Sequence, residues 1–182
     1  MIEDLLKSYK CDEEESYRRD ILSLIENAPD CFYRTHFNPG HITGSALLVS
    51  ADNNRVLMNH HKFLNIWICF GGHADGERNV LNVAMREAQE ESGILNIEPV
   101  MTDIFSVDIH PIPENPKKGE PPHKHFDIRY LLRVKDKADE AFAMSEESHN
   151  LRWCGYEEAR FLAANDLSMH RLLIKWQEGK AA

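Results

Sequence analysis

Three carboxylates, those of Glu87, Glu90 and Glu91, crowd the end of a segment whose apolar spacing is typical of a helix over about 79–91. At about 100° per residue they fall within an arc of about 100°, beside the apolar stripe. Like charges one turn apart repel by roughly 0.2–0.5 kcal/mol per pair, and anions in a last turn oppose the helix dipole by roughly 0.3–1 kcal/mol each. A divalent cation would remove these penalties, and carboxylate oxygens favour Mg²⁺, Mn²⁺ or Ca²⁺. The alternative is a solvated acidic helix end.

Two glycines, Gly71 and Gly72, precede this helix at the end of an apolar segment. A strand that ends in glycines lets the backbone approach a ligand or another chain segment closely. Such a turn can direct a carbonyl oxygen at the same cation. A plain tight turn explains the two glycines equally well.

The stretch GGHADGERNVLNVAMREAQEESGI, residues 71–94, resembles the Nudix box. That pattern runs Gly, five residues, Glu, seven residues, Arg-Glu, an apolar residue, any residue, Glu-Glu, any residue, Gly and an apolar residue. The positions in register are Gly72, Arg86, Glu87, Ala88, Glu90, Glu91, Gly93 and Ile94. One position departs, because Arg78 stands where the box has Glu, with Glu77 just before it.

The resemblance implies an enzyme that acts on acid anhydrides, a Nudix-type pyrophosphohydrolase. Such enzymes use Mg²⁺ or Mn²⁺ and a water nucleophile to cleave the diphosphate linkage of a nucleoside diphosphate joined to another group. The metal ligands it implies are Gly72 (through its carbonyl), Glu87, Glu90 and Glu91. Arg86 would hold the glutamates in place, and Gly93 would end the helix in a left-handed conformation.

The general base is left open by the resemblance, which allows Glu87 or Glu90. Some Nudix enzymes place the base in a loop outside the box, and here Glu146 or Glu147 is the candidate, or else a solvated acidic loop. The departure at Arg78 means either that Glu77 substitutes through a shifted turn or that fewer ions bind. It also keeps open a non-catalytic Nudix module that binds a nucleotide-like ligand, and an isomerase-like relative.

Several of the ten histidines fall in suggestive places. His123, His125 and Asp127 alternate, so they share one face of a strand, as a second metal site, a phosphate-binding surface or an ordinary polar face. His73 follows the box glycines and is predicted to line the rim of the metal site. The residues proposed to contact substrate are therefore His73, His123, His125, Asp127 and Glu147. Lys62 and Arg129 fit solvated charges better than phosphate contacts.

Apolar periodicity elsewhere predicts helices over 2–9 and 13–27, the latter packing through Tyr17, Ile21, Leu24 and Ile25. It also predicts a hairpin around ADNN, strands over 63–70 and 123–134, one or two strands over 97–112, a last strand to which SEESHNLRWCGY (145–156) leads, and C-terminal helices. The predicted fold class is α/β, a Nudix-like α/β/α sandwich with a mixed β-sheet. A helical N-terminal extension (1–35) would precede a Nudix domain (36–182).

The 182-residue chain has a net charge of −9, which argues against nucleic acid polymers and anionic membranes as main partners. A small-molecule nucleoside diphosphate derivative remains compatible, since a bound cation reverses the local charge. The acidic N-terminus shows neither a signal peptide nor a membrane span, and the four cysteines lack C-x-x-C spacing. A cytoplasmic location is expected. The oligomeric state stays open, with a homodimer among the options.

Overall fold

The computed structural model describes residues 1–180 as five α-helices and eight β-strands. The helices are α1 (Ile2–Ser8), α2 (Glu15–Asn27), α3 (Val80–Ser92), α4 (Tyr156–Leu162) and α5 (Leu167–Gly179). The strands are β1 (Gly40–Val49), β2 (Val56–His61), β3 (Ile66–Ile68), β4 (Phe70–His73), β5 (Ile97–Pro99), β6 (Ser106–Ile112), β7 (His123–Val134) and β8 (Ser148–Cys154). Among these residues no helix is both long enough and apolar enough to cross a membrane.

The predicted fold class is confirmed: the chain is α/β, with a mixed sheet and N-terminal helices. The strand order is β3-β2-β1-β7-β5, while β4 pairs with β1, β6 with β7 and β8 with β2. The chain forms two compact units, and β1, β7 and α3 run through both. The first unit comprises Met1–Ser45, Gly71–Ala84 and Met101–Tyr130; of the described residues, the second comprises Ala46–Phe70, Met85–Val100 and 131–180. The boundary predicted at residues 35 and 36 stays a prediction.

In the first unit, β6 lies antiparallel to β7, from Ser106 opposite Arg129 to Ile112 opposite His123. The start of α3 approaches β1 closely at Gly44, where an added Cβ would lie 2.9 Å from the Val80 carbonyl oxygen and from Val83. Glycine is therefore required where the helix lies on the strand. This contact fixes the beginning of α3.

In the second unit, β2 pairs antiparallel with β3 and with β8, and Val56 at its start lies opposite Val49 of β1. β5 pairs antiparallel with the end of β7. The predicted hairpin is confirmed, but the single strand predicted over 63–70 is wrong. That stretch forms a turn followed by the short strands β3 and β4, and Phe63 and Leu64 at its start are exposed. A short run of apolar residues in the sequence does not by itself distinguish an exposed turn from a strand.

The N-terminal helix α2 packs against β6 through the stripe that its spacing predicts. Ile21, Leu24 and Ile25 are buried, whereas Tyr17 is half-buried. A second contact, made by the buried carboxylate of Glu14, holds the N-terminal segment to β6 and is not predicted from the sequence.

Glu14 lies just before α2, and its carboxylate is satisfied inside the first unit. It accepts hydrogen bonds from the Ser106 hydroxyl at 2.8 Å and from the Val107 backbone N–H at 3.0 Å, and the Tyr9 hydroxyl also donates to it. Burial raises the pKa of Tyr9, with the hydrogen bond to Glu14 adding to the effect, so the phenol keeps its proton. The carboxylate thereby links the N-terminal segment to β6.

We expect Glu14→Gln to lower the free energy of unfolding by about 1–3 kcal/mol. An amide has one acceptor oxygen where the carboxylate uses two, so at least one buried donor loses its partner. Urea denaturation measures the loss, and Glu13→Gln, an exposed neighbour, is the matched control. Equal stability of the two variants would contradict the anchoring role.

Candidate active site

The glutamates of α3 differ in how far they are removed from solvent. Residue Glu91 is 7% exposed, the Glu87 side chain is 14% exposed and the Glu90 side chain is 62% exposed. The carboxylates therefore span the edge of the helix, from its packed side to its solvated side. Two charged groups taken out of water near a helix C-terminus are unfavourable unless something compensates them.

Arg86 supplies part of that compensation. Its guanidinium lies 2.7 Å from a Glu87 carboxylate oxygen and 3.7 Å from one of Glu90. The pKa of Glu87 is nevertheless raised above its ordinary value, chiefly by burial; Arg86 opposes the shift, and the charges of Glu90 and Glu147 add to it. Glu147, which lies outside the Nudix box, is therefore one of the charges that act on Glu87.

The loop carrying Glu147 is held at the end of α3, within the second unit. Gly93 follows the helix with a φ of +71°, so the predicted left-handed helix end is confirmed. The Ala143 backbone N–H donates to the Ser92 carbonyl at 2.8 Å, and an added Cβ on Gly93 would lie 2.9 Å from the Ala143 Cβ. Farther along, the Lys62 ammonium donates to the Glu146 carbonyl at 3.1 Å. Gly93 thus permits the approach that brings residues 143–147 to the helix end.

Arg78, at the position that departs from the box, contacts the N-terminal segment. Its guanidinium lies 4.5 Å from the centre of the Phe32 ring, 3.6 Å from a Glu3 carboxylate oxygen and 3.4 Å from the Pro29 carbonyl oxygen. Glu77 accepts a hydrogen bond from the Asn79 backbone N–H at 2.7 Å, immediately before α3. Arg78 thus packs on the N-terminal segment, and one carboxylate oxygen of Glu77 accepts from the backbone at the start of α3.

Histidine rings gather at one end of β1 and β7, in the first unit. The His41 and His125 ring centres are 4.8 Å apart, as are those of His41 and His123, and His73 lies 5.0 Å from His41. His110 on β6 lies 5.5 Å from His125. The structure therefore groups three of the histidines proposed to contact substrate with His41 and His110.

Asp127 has different partners from the histidines that alternate with it. It accepts hydrogen bonds from the Thr43 and Ser45 hydroxyls at 2.8 and 2.7 Å and from Arg129 Nε at 2.6 Å. Arg129 also lies 3.3 Å from Asp108. The expectation of a solvated Arg129 is therefore wrong: its side chain is 7% exposed, and it lies between two buried aspartates. The pairing of β6 with β7, which places Asp108 opposite Asp127, is the information that sequence reasoning lacked.

Comparison with known proteins identifies the family. The NUDIX domain profile matches residues 40–177, so the chain belongs to this family, as its box indicates. Its enzymatic class is that of a Nudix pyrophosphohydrolase.

Individual relatives are distant. A probable DHNTP pyrophosphohydrolase of Lactococcus lactis subsp. cremoris is 27% identical over 143 residues, spanning 77% of this chain and 84% of the relative. An asymmetrical bis(5'-nucleosyl)-tetraphosphatase of Rattus norvegicus is 29% identical over 120 residues, spanning 64% of this chain and 76% of the relative.

Solved structures agree on the fold. A C. elegans Ap4A hydrolase superposes with a TM-score of 0.60 at 19% identity, covering 77% of this chain and 97% of that one. The E. coli dihydroneopterin triphosphate pyrophosphohydrolase superposes with a TM-score of 0.54 at 15% identity, covering 72% and 91%. At these identities the likeness establishes the α/β Nudix fold alone.

We expect Arg78→Ala to lower the free energy of local opening of the N-terminal segment by about 1 kcal/mol. This is the combined scale of an exposed cation–π contact and an exposed ion pair. Arg78→Glu restores the box residue but places a second negative charge beside Glu3, so its effect should be larger. Hydrogen exchange of residues 1–35 measures both changes. Arg78→Lys, which keeps the charge and loses the planar stacking, is the control and should fall between the parent and Arg78→Ala. Unchanged protection in all three variants would refute the docking role.

Proposed function

We propose that the protein is a Mg²⁺- or Mn²⁺-dependent hydrolase of the diphosphate linkage in a nucleotide-type small molecule. The observation that carries this proposal is the desolvated carboxylate pair on α3, Glu87 and Glu91, beside the exposed Glu90. The two named relatives add the substrate class, since one hydrolyses DHNTP and the other a bis(5'-nucleosyl) tetraphosphate by their names. A phosphoanhydride linkage in a chain of phosphates is the chemistry that the two names share, and a nucleoside diphosphate linked to another group contains the same kind of linkage.

The α3 glutamates fit a divalent cation by the chemistry of their donors. Glu87, Glu90 and Glu91 offer hard carboxylate oxygens, the ligands that Mg²⁺ and Mn²⁺ prefer. Arg86 brings one positive charge to Glu87 and Glu90, which leaves negative charge in excess. When bound, the cation would neutralise diphosphate charge and lower the pKa of a bound water. The Gly72 carbonyl, which lies in β4, stays a predicted additional ligand.

Protein groups around the glutamates have separable roles in the proposal. Arg86 orients Glu87 and Glu90 through charge-assisted contacts. The proton of the attacking water goes to a carboxylate, for which Glu87, Glu90 and Glu147 are the candidates. His73, His123, His125 and Asp127 stay proposed substrate contacts, although the partners of Asp127 show that its carboxylate already accepts three hydrogen bonds.

The departure at Arg78 does not require a loss of activity. Its contacts with Glu3, Pro29 and Phe32 give it a structural role. The hydrolase proposal is therefore preferred over a non-catalytic binding module and over an isomerase-like relative.

A substrate panel tests this function directly. We expect phosphate or nucleotide release from at least one of dihydroneopterin triphosphate, dinucleoside tetraphosphates and nucleoside diphosphate derivatives, with Mg²⁺ or Mn²⁺ and not with chelator. Loss of the general base should lower kcat by about 10²–10⁴ with metal affinity retained. Glu87→Gln, Glu90→Gln and Glu147→Gln compared in this way separate the base from the ligands. Tight binding of a panel compound without turnover would instead support the binding module, and rearrangement without release would support the isomerase.

Glu91→Gln tests the cation site through stability. The parent should gain about 2.7 kcal/mol when the metal is at a hundred times its Kd, and the variant should gain less and lose most of its turnover. In chelator the variant should be as stable as the parent or more stable by up to about 1 kcal/mol, because a repelling charge is gone. Thermal melts with chelator and with millimolar Mg²⁺ or Mn²⁺ measure both effects.

Glu178→Gln is the matched control for that experiment, since Glu178 is an exposed glutamate in the last turn of α5. Its metal-dependent gain should equal that of the parent. A Glu91→Gln protein that melts well below the parent in chelator and keeps full turnover with metal would make Glu91 a structural residue.

A further inference from the structure

Three histidines of the first unit bring ring nitrogens together in a buried place. His41, His123 and His125 each offer one nitrogen, and these three nitrogens lie within 4.8 Å of one another. His41 is 1% exposed and His123 7% exposed. The Nε2 atoms of all three are buried and have no hydrogen-bond partner among residues 1–180. Buried polar atoms are nearly always satisfied, so a group of three without partners needs an explanation.

In two of the rings, His41 and His123, the hydrogen bond made by Nδ1 determines that the lone pair available to a ligand is on Nε2. His41 Nδ1 lies 3.3 Å from the His36 carbonyl oxygen, and His123 Nδ1 lies 2.8 Å from the Pro121 carbonyl oxygen. A carbonyl oxygen can only accept, so in each neutral ring Nδ1 carries the proton and Nε2 presents a lone pair. Metal-binding histidines are oriented by this same outer hydrogen bond from the second ring nitrogen.

Geometry separates the two functional uses of this cluster, phosphate binding and metal binding. The Nε2 atoms of the three rings have no acceptor among residues 1–180, so a second proton on a ring would be buried without a partner. A neutral ring presents a lone pair at Nε2, which a metal ion accepts and an anionic phosphate oxygen does not.

We propose that His41, His123 and His125 form a transition-metal site of the zinc type, with one coordination position open to a water or an anionic oxygen. Imidazole nitrogens select Zn²⁺ and its neighbours in the first transition row, whereas the α3 glutamates suit Mg²⁺ or Mn²⁺. Three protein nitrogens with an open fourth position are a known zinc arrangement. The two sites share no ligand residue, so this proposal stands whether or not the glutamates support hydrolysis.

The surroundings of the three rings favour a fixed site. Phe37 packs edge-on against His123 at 5.2 Å, and His73 lies 5.2 Å from His125. A tetrahedral zinc with bonds of about 2.0–2.1 Å places its ligand nitrogens about 3.4 Å apart, so binding would draw these nitrogens inward from separations of up to 4.8 Å. Asp127 is not a ligand here, because its carboxylate accepts from Thr43, Ser45 and Arg129.

The test uses the full chain, stripped with chelator and then equilibrated with Zn²⁺ in excess Mg²⁺. We expect one tightly held Zn²⁺ per chain, with zinc-edge X-ray absorption showing three imidazole nitrogens at about 2.0–2.1 Å. Co²⁺ in its place should give the intense visible absorption of a four-coordinate ion. Glu91→Gln should leave both results unchanged. No retained zinc, or a first shell of oxygens only, would overturn the proposal.

Variants locate the ion. His41→Asn and His123→Asn keep an N–H able to donate to the His36 and Pro121 carbonyls but remove the Nε2 ligand. Each should weaken zinc binding by more than the roughly 10–100-fold that loss of an outer hydrogen-bond partner costs. His149→Asn, at an exposed histidine, is the control and should bind as the parent does. Folding of each variant is checked by circular dichroism in chelator, and if a variant is unfolded the parent's absorption spectrum decides. Folded variants that retain zinc as the parent does would refute the assignment.

Discussion

The close approach of Gly40 to Lys124 determines which side chains of β1 and β7 meet. The Lys124 backbone N–H donates to the Pro39 carbonyl at 3.0 Å, and a Cβ on Gly40 would lie 1.8 Å from the Lys124 carbonyl oxygen. Any other residue at position 40 would push the two segments apart. With this contact in place, His41 meets His123 and His125, and Thr43 and Ser45 reach Asp127. One backbone contact thus organises a whole polar face of the first unit.

The α3 glutamates obey a different constraint, the cost of negative charge at a helix C-terminus. Arg86 lies against both Glu87 and Glu90, and the Ala143 backbone N–H donates to the Ser92 carbonyl at the helix end. Two carboxylates that share one guanidinium near a helix C-terminus, with the pKa of Glu87 raised by burial, are more informative about ligand binding than an isolated surface ion pair.

Local features could be predicted from the sequence because they depend on near neighbours. The spacing of apolar residues predicts α2 and α3, and the glycine after the box predicts the left-handed helix end. Partners that are distant in the chain could not be predicted. Arg129 has the sequence appearance of a surface charge, and its burial follows from strand pairing that places Asp108 and Asp127 beside it. His41 is separated from His123 by some eighty residues, and the residues that flank His41 in the sequence do not indicate this contact.

The contacts of Glu14 cross the boundary that the family match defines. The family match begins at residue 40, yet the Ser106 hydroxyl and the Val107 N–H find their acceptor in Glu14, well before it. A shorter chain cut to the family limits would leave both donors uncapped on β6 and would expose the strand surface that α2 covers. The buried hydrogen bonds of β6 therefore extend beyond the family match, and removal of the N-terminal segment would remove an acceptor that the matched region uses.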